Sequence, residues 1–182
     1  MVNINLNTLT SCSSTNDLAY QGAQDGLDEG NSFLSYSQTK GRGRNDNKWT
    51  SLKGNLFLST IIRPKTEKKN WQQLSLIVAF SVIEVLLKFG IKKNQIELKW
   101  PNDILVNNKK IAGILLESSH DFIIVGIGLN VKKTPVNEEK WETTKIDDYI
   151  NLNFSVKKIA LKILDQLFLT VSYTHLTLPT KA

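Results

Sequence analysis

The sequence predicts an α+β domain: a mainly antiparallel sheet with helices packed on one side. Three observations carry that class. Short apolar stretches near 95–99, 104–106, 110–117 and 122–129 follow at hairpin spacing, too close for helices between them. Residues from about Trp71 to Phe89 are apolar around most of a helical circumference, which suits a helix buried against a sheet. From Ser155 to about Leu169 the pattern is amphipathic, with Ile159, Ile163 and Leu167 on one stripe and Lys157, Lys158 and Lys162 outside it.

Taken in order, residues 3–9 alternate apolar and polar and predict a short strand. Ser13, Ser14, Thr15 and Asn16 precede a helix to about Gln24, with Ser14 and Asp17 spaced as a capping-box variant. Alternation returns from Asn31 to Gln38, placing Leu34, Tyr36 and Gln38 on one face of a strand. Residues 40–48 hold only glycine and polar or charged residues and predict a mobile loop that ends at Trp49. Asn55 to Ile62 reads as a strand closed by Pro64. On the long helix, Asn70 is the expected N-cap, Glu84 and Lys88 an i,i+4 pair, and Gly90 the stop. Between 131 and 150 the chain is polar, with Thr144 and Asp147 at capping spacing before a short helix. From Val171 the composition changes abruptly and the helical period ends. The expected division is therefore a domain over 1–169 and a foreign tail over 170–182.

Bulk properties exclude several function classes. With 182 residues the chain can bury the core of one domain. Its formal charge of +6 is scattered, and the lysines at 65–69 and 157–158 read as solvated faces. No helix-turn-helix, RNA-binding or zinc-finger pattern occurs, so DNA is not an expected partner. Cys12 is the single cysteine, which excludes an internal disulfide and suits a reducing compartment. His120 and His175 have no second soft ligand at metal spacing, which argues against structural zinc and a Cys-His-Asp triad. Ser81, Glu84 and Lys88 interrupt the apolar run near 74–89, so no membrane association is expected and the location is read as cytoplasmic.

The chemistry concentrates in two segments. Lys99-Trp100-Pro101-Asn102-Asp103 places a lysine, an amide and a carboxylate on a turn, and Lys110 follows on the returning strand. Upstream lies Gly41-Arg42-Gly43-Arg44, which lacks the spacing of a P-loop. Two negative charges about 3.5 Å apart repel by roughly 5 kcal/mol at an effective dielectric near 20, so a carboxylate approaches a triphosphate only past fixed cations. Arg42, Arg44, Lys99 and Lys110 are candidates for those cations, and Asp103 for a Mg²⁺ ligand. The pattern suits carboxylate adenylation. Read singly, each element has a plainer explanation: Ser14 and Thr15 as helix caps, Trp100-Pro101-Asn102-Asp103 as a turn, Lys110 as a solvated strand residue, the Gly-Arg run as a flexible basic linker.

Together, Ser14-Thr15-Asn16, Gln38-Thr39 with Gly41-Arg42-Gly43-Arg44 and Trp49, Lys99-Trp100-Pro101-Asn102-Asp103, Lys110-Ile111-Ala112-Gly113-Ile114-Leu115-Leu116-Glu117 and Gly126-Ile127-Gly128-Leu129-Asn130 resemble, in this order, the catalytic domain of biotin-protein ligases. That resemblance implies a fold like the class II aminoacyl-tRNA synthetases and the biotin and lipoate ligases. It implies activation of biotin by ATP to biotinyl-5′-AMP, then transfer to a lysine of a biotin carboxyl carrier protein. Ser14, Thr15, Gln38, Gly41 and Arg42 would surround the ureido ring, and Gly113 and Leu115 the valeryl chain. Arg44 and Lys110 would face the carboxylate and the α-phosphate, and Trp49 would stack on adenine. Asn102, Asp103 and Asn130 would serve the nucleotide and its Mg²⁺, with Lys99 among the catalytic cations. Many members form homodimers through the sheet.

The chain departs from the family pattern at Asn45-Asp46-Asn47, where further basic residues are usual, and Asp46 adds negative charge. The expectation is a member of the class without a DNA-binding segment before the domain and without the small β domain that usually follows it. Two alternatives stay open. One is lipoate-ligase-like acyl transfer, although the Arg-Arg-x-Ser-Gly-Gly-Gly segment and the late catalytic cysteine of those proteins are lacking. The other is a non-catalytic biotin- or nucleotide-binding module.

Overall fold

Alternating and continuous apolar runs build one sheet of seven strands. The computed structural model describes residues 2–65, 68–135, 142–151 and 153–177, with side chains described except at 46, 69, 70, 72 and 173–177. In chain order the elements are β1 (Asn5–Leu9), α1 (Thr15–Gln24), β2 (Asn31–Ser35), β3 (Leu56–Ile62), α2 (Leu74–Phe89), β4 (Ile96–Lys99), β5 (Asp103–Val106), β6 (Lys109–Ser118), β7 (Ile123–Leu129) and α3 (Val156–Thr177). The strand order is β1-β2-β3-β7-β6-β5-β4. Only β1 and β2 run parallel, because α1 crosses between them; the other pairs are antiparallel.

Register divides the sheet into two unlike faces. Leu56, Leu58, Thr60 and Ile62 of β3 stand beside Leu129, Ile127, Val125 and Ile123 of β7, and these beside Ala112, Ile114, Leu116 and Ser118 of β6. This largely aliphatic face packs under α2 and α3, whose Val78, Val82, Leu86, Ile159, Ile163 and Leu167 are fully buried against it. Burial of each such side chain contributes about 1.5–3 kcal/mol. The reverse face carries Phe57, Ser59 and Ile61, then Gly128, Gly126 and Ile124, then Gly113, Leu115 and Glu117.

The mainly antiparallel α+β architecture matches the sequence reading, and α2 and α3 share one face. Helix α1 is the exception to one-sided packing. It is short, and through Ala19 and Ala23 it covers only the Ile61, Ile124 and Phe122 end of the reverse face. The rest of that face stays open.

Several local expectations change for identifiable reasons. Strand β2 ends at Ser35, and Gln38 lies beyond it in an isolated parallel bridge to Cys12, closed by Cys12 N–H to Ser37 O (3.2 Å) and Thr39 N–H to Cys12 O (3.0 Å). Ser14 is the N-cap of α1 by backbone conformation, but its hydroxyl caps nothing; Arg42 takes both Ser14 and Asp17 out of the capping box. Asn70 lies within a 3-10 turn, Lys68–Gln73, that leads into α2, so the N-cap is Gln73. Gly90 stops α2 with φ 109°. Lys88 donates to Gln166 on α3 (2.7 Å) rather than pairing with Glu84, and Phe80 of α2 is 56% exposed.

Thr144 precedes a 3-10 turn, Ile146–Asp148, but its hydroxyl donates to Asp148 (3.0 Å), not Asp147. Ser155 caps α3 by accepting from the Lys158 N–H (3.2 Å). That helix runs past the expected end near 169, with Val171 still buried, to Thr177. Within the expected tail, 178–182 lie outside the described residues. Among the described residues no helix is long and apolar enough to cross a membrane.

Leu58 is 1% exposed at the centre of the aliphatic face. Leu58→Ala should lower unfolding free energy by about 2–5 kcal/mol, measured by urea denaturation.

Candidate functional site

The open half of the reverse face is the floor of a cavity of about 440 Å³. Glycine makes it possible. Gly113 and Gly128 are cross-strand neighbours, and a Cβ at Gly113 would fall 2.7 Å from Trp49 Cζ3. The Trp49 indole lies across both glycines, and at Gly126 the Asn16 side chain occupies the space a Cβ would need. Strand alternation supplies this floor: Gly126 and Gly128 share the face of Gly113 and Leu115.

A bulge re-aims the lysine. Ile104 pairs with Ala112 and Leu105 with Lys110, so Ile111 is the extra residue on β6. Ile111 and Ala112 both enter the aliphatic core, and Lys110 turns into the cavity. There its Nζ lies 3.3 Å from Asp103 Oδ1 and 5.1 Å from the centroid of Trp49. Both members of the pair are largely buried, with side chains 16% and 17% exposed. Asp103 Oδ1 and Trp49 Nε1 are buried without a hydrogen-bond partner. The cavity therefore holds an unused donor on Trp49 and a carboxylate oxygen whose neighbour is the Lys110 ammonium.

The α1 end is neutral and tightly bonded. Gln38 Oε1 accepts from the Thr15 N–H (2.8 Å) and hydroxyl (3.1 Å), and Gln38 Nε2 donates to Ser51 (3.1 Å). Ser59 lies within hydrogen-bond reach of Thr15 Oγ1 and Asn16 Oδ1 (2.8 and 2.5 Å). Arg42 forks onto Glu117 through Nε and Nη2 and reaches Asp17 through Nη1 (2.7 Å). Burial alone would lower the Arg42 pKa, but the hydrogen bonds and charges of Asp17 and Glu117 outweigh it and raise the value.

The loop of residues 40–48, expected to be mobile, carries hairpin pairing. Gly43 N–H donates to Asn47 O (2.7 Å), Trp49 N–H to Gly41 O (3.0 Å), and Asn45 sits left-handed at φ 52° at the tip. Arg44 and Lys48 are exposed and line the cavity mouth. The Asp46 side chain, whose charge the sequence raised, lies outside the described residues.

Of the residues singled out from sequence, Ser14, Thr15, Gln38, Arg42, Arg44, Trp49, Asn102, Asp103, Lys110, Gly113 and Leu115 line this one cavity. Gly41, Lys99 and Asn130 do not. Gly41 is packed against Trp49 O and Ser51 Oγ, each 2.6 Å from where its Cβ would be, at the base of the hairpin. Lys99 stands on the edge strand opposite Asp103, one strand farther from the floor. Asn130 is 3% exposed, with Nδ2 bonded to Thr144 O (3.1 Å) and Oδ1 accepting from Asn55 (3.4 Å). Asn16, Lys48, Phe57, Gly126 and Gly128 also line the cavity, and Glu117 and Asp17 anchor it through Arg42. Strand parity with Gly113 was the available signal for the two glycines; nothing in the sequence marks the pairing of Glu117 with Arg42, 75 residues apart.

Residues 9–132 match the family model for the biotin/lipoate A/B protein ligase family. The chain belongs to this family. Among curated members it is similar to the bifunctional ligase/repressor BirA of Bacillus subtilis, 38% identical over 68% of this chain and 39% of that protein. It is also similar to the biotin–[acetyl-CoA-carboxylase] ligase of Mycobacterium tuberculosis, 32% identical over 78% of this chain and 55% of that one. The chain thus spans 39–55% of the length of these two relatives. Its structure is similar to the Aquifex aeolicus biotin protein ligase solved with biotin and ATP (TM-score 0.82, 33% identity, 95% of this chain and 72% of that one). The Leishmania major biotin protein ligase solved with biotinyl-5-AMP is a second such likeness (TM-score 0.83, 28% identity, 94% and 76%).

A side chain at position 128 competes with Trp49 for the cavity floor. Gly128→Ala should push the indole toward water and red-shift tryptophan emission, and the shift should vanish in a Trp49→Phe background.

Proposed function

We propose that this chain is the catalytic domain, over residues 1–169, of a ligase that activates biotin with ATP and passes the acyl group to a lysine of a biotin carboxyl carrier protein. One observation carries the reading: a single cavity joins a neutral, hydrogen-bonding end at α1 to a cationic end at Arg44, Lys48 and Lys110. A uncharged bicyclic urea suits the first end and a carboxylate beside phosphates the second. The ligand-bound relatives with biotin, ATP and biotinyl-5-AMP support it.

In this reading Ser14, Thr15, Gln38 and Asn16 receive the ureido ring, Leu115 lines the way for the valeryl chain, and Gly113, Gly126 and Gly128 let Trp49 and Asn16 rest close against the sheet beside it. A biotin carboxylate oxygen attacks the α-phosphorus, the bond between the α- and β-phosphates breaks, and pyrophosphate leaves. Lys110 and Arg44 offset the charge that develops on the α-phosphoryl oxygens. Trp49, Asn102 and Lys48 serve the nucleotide. Lys99 and Asn130 support the site from outside the lining, and Gly41 shapes the hairpin.

In the second step the neutral amine of the acceptor lysine attacks the acyl carbon, AMP departs, and the amine proton goes to solvent. Free lysine has a pKa near 10.4, so the cationic mouth would favour its deprotonation.

Asp103 is the only carboxylate among the described lining residues, and its buried Oδ1, which has the Lys110 ammonium 3.3 Å away but no hydrogen bond, would suit a Mg²⁺ arriving with the nucleotide. Such an ion would neutralise phosphate charge. The proposal extends to action in the cytoplasm, without DNA or membrane as partner, and to a homodimer formed through the sheet.

Two measurements test the reading. Biotin with Mg-ATP should drive pyrophosphate exchange and yield a mass for the adenylate; lipoate adenylate in place of biotinyl adenylate would favour the lipoate alternative, and biotin binding without exchange a binding module. Lys110→Ala should cut adenylate formation by about 10²–10³-fold while calorimetric biotin binding persists, and undiminished exchange would remove Lys110 from the chemistry.

A further inference from the structure

We propose that Glu117 is a positioning residue for recognition of the ureido group, acting through Arg42 on the Ser14 hydroxyl and directly on the Asn16 amide; this rests on the biotin reading above. A guanidinium has five N–H donors and no acceptor. Most of those on Arg42 are engaged: Nε donates to Glu117 Oε1 (3.0 Å), the Nη2 hydrogen on the same side is shared between Oε1 and Oε2 (3.0 and 2.9 Å), and Nη1 donates to Ser14 Oγ (3.2 Å) and Asp17 Oδ1 (2.7 Å). Arg42 lines the cavity with its guanidinium held by two carboxylates, and through Nη1 it bears directly on Ser14.

A serine hydroxyl has one hydrogen and two lone pairs. With a cation donating to one lone pair, the Ser14 hydrogen turns away from Arg42, and the charge strengthens it as a donor. Ser14 is 2% exposed and lines the cavity, so that donor meets a carbonyl oxygen entering from the cavity. The other arm of Glu117 fixes an acceptor. Oε2 receives Asn16 Nδ2 (2.6 Å), which turns Asn16 Oδ1 toward Ser59 and sets the amide's orientation. Gln38 is held in the same sense, its Oε1 toward Thr15 and its Nε2 on Ser51. The Ser14 donor beside the Asn16 amide oxygen, which keeps a lone pair after bonding Ser59, complements a urea, which presents one C=O and two N–H.

A mere staple between hairpin and β6 would behave differently. Loosening a staple would weaken nucleotide and biotin together and slow turnover. Loss of orientation should raise the biotin KM alone.

The test compares this chain with its Glu117→Gln variant. The variant should raise the biotin Kd by calorimetry, and the KM in pyrophosphate exchange, by about 10–100-fold. Its kcat at saturating biotin should stay within about threefold, with ATP affinity unchanged. Protonated 2-iminobiotin places an N–H donor where biotin has oxygen, so wild type should reject it more strongly than the variant does. An unchanged biotin KM, or parallel loss of kcat and ATP affinity, would overturn the proposal. If Glu117→Gln does not fold, Asp17→Asn at the half-exposed rim decides on the same criteria, with a biotin-only loss of about 3–10-fold expected. Wild type that binds no biotin would fail the ligase reading itself, whereas wild type and variants binding it equally would fail this inference alone.

Discussion

Close approach to a sheet backbone is the constraint from which this site is built. Two strands present side chains to α2 and α3 on one face and glycine at Gly113, Gly126 and Gly128 on the other, so one pair of strands supplies both part of the core and the cavity floor on which Trp49 and Asn16 rest. Rigidity and vacancy are thereby combined. A floor made of paired backbone cannot sag into the space above it, because each amide is fixed by its neighbour strand. The short, alanine-faced α1 then leaves that space uncovered while its first turn supplies the polar end wall.

Charge is segregated along the same cavity. Arg42 is answered by two carboxylates and belongs to the architecture of the α1 end, whereas Arg44 and Lys48 project from the hairpin and Lys110 from the sheet at the other. Adjacent arginines in one Gly-Arg run thus have unlike electrostatic fates. The difference follows from what each can reach: Glu117 lies on the cavity face of β6 at Arg42's end, and among the described residues no carboxylate forms an ion pair with Arg44.

Much of this was legible in the residues. Hairpin spacing located β4 to β7, and continuous apolarity found β3 and α2, because both signals come from local burial. The motif segments pointed to eleven residues that line one cavity. What escaped was non-local. The Glu117 to Arg42 fork links positions 75 apart, and neither has a pattern that announces the other. Ser14 and Asp17 had ideal capping spacing, yet a charged partner from the hairpin outcompeted the helix N–H groups. Asn130 carried a motif position but is buried by the segment at Thr144. Gly41 and Lys99 likewise fall just outside the lining, one locked into a turn and the other displaced by a strand.

The bulge at Ile111 has a meaning for how such sequences are scanned. Parity counted back from Gly113 assigns Lys110 to the greasy side of the sheet, so a search that trusts strict alternation would discard the lysine as mispositioned. One supernumerary residue inverts the count. The apparent phase error in Lys110-Ile111-Ala112-Gly113 is therefore itself the signature of a cation delivered to a pocket, a pattern that period-two arithmetic hides until the fold is in view.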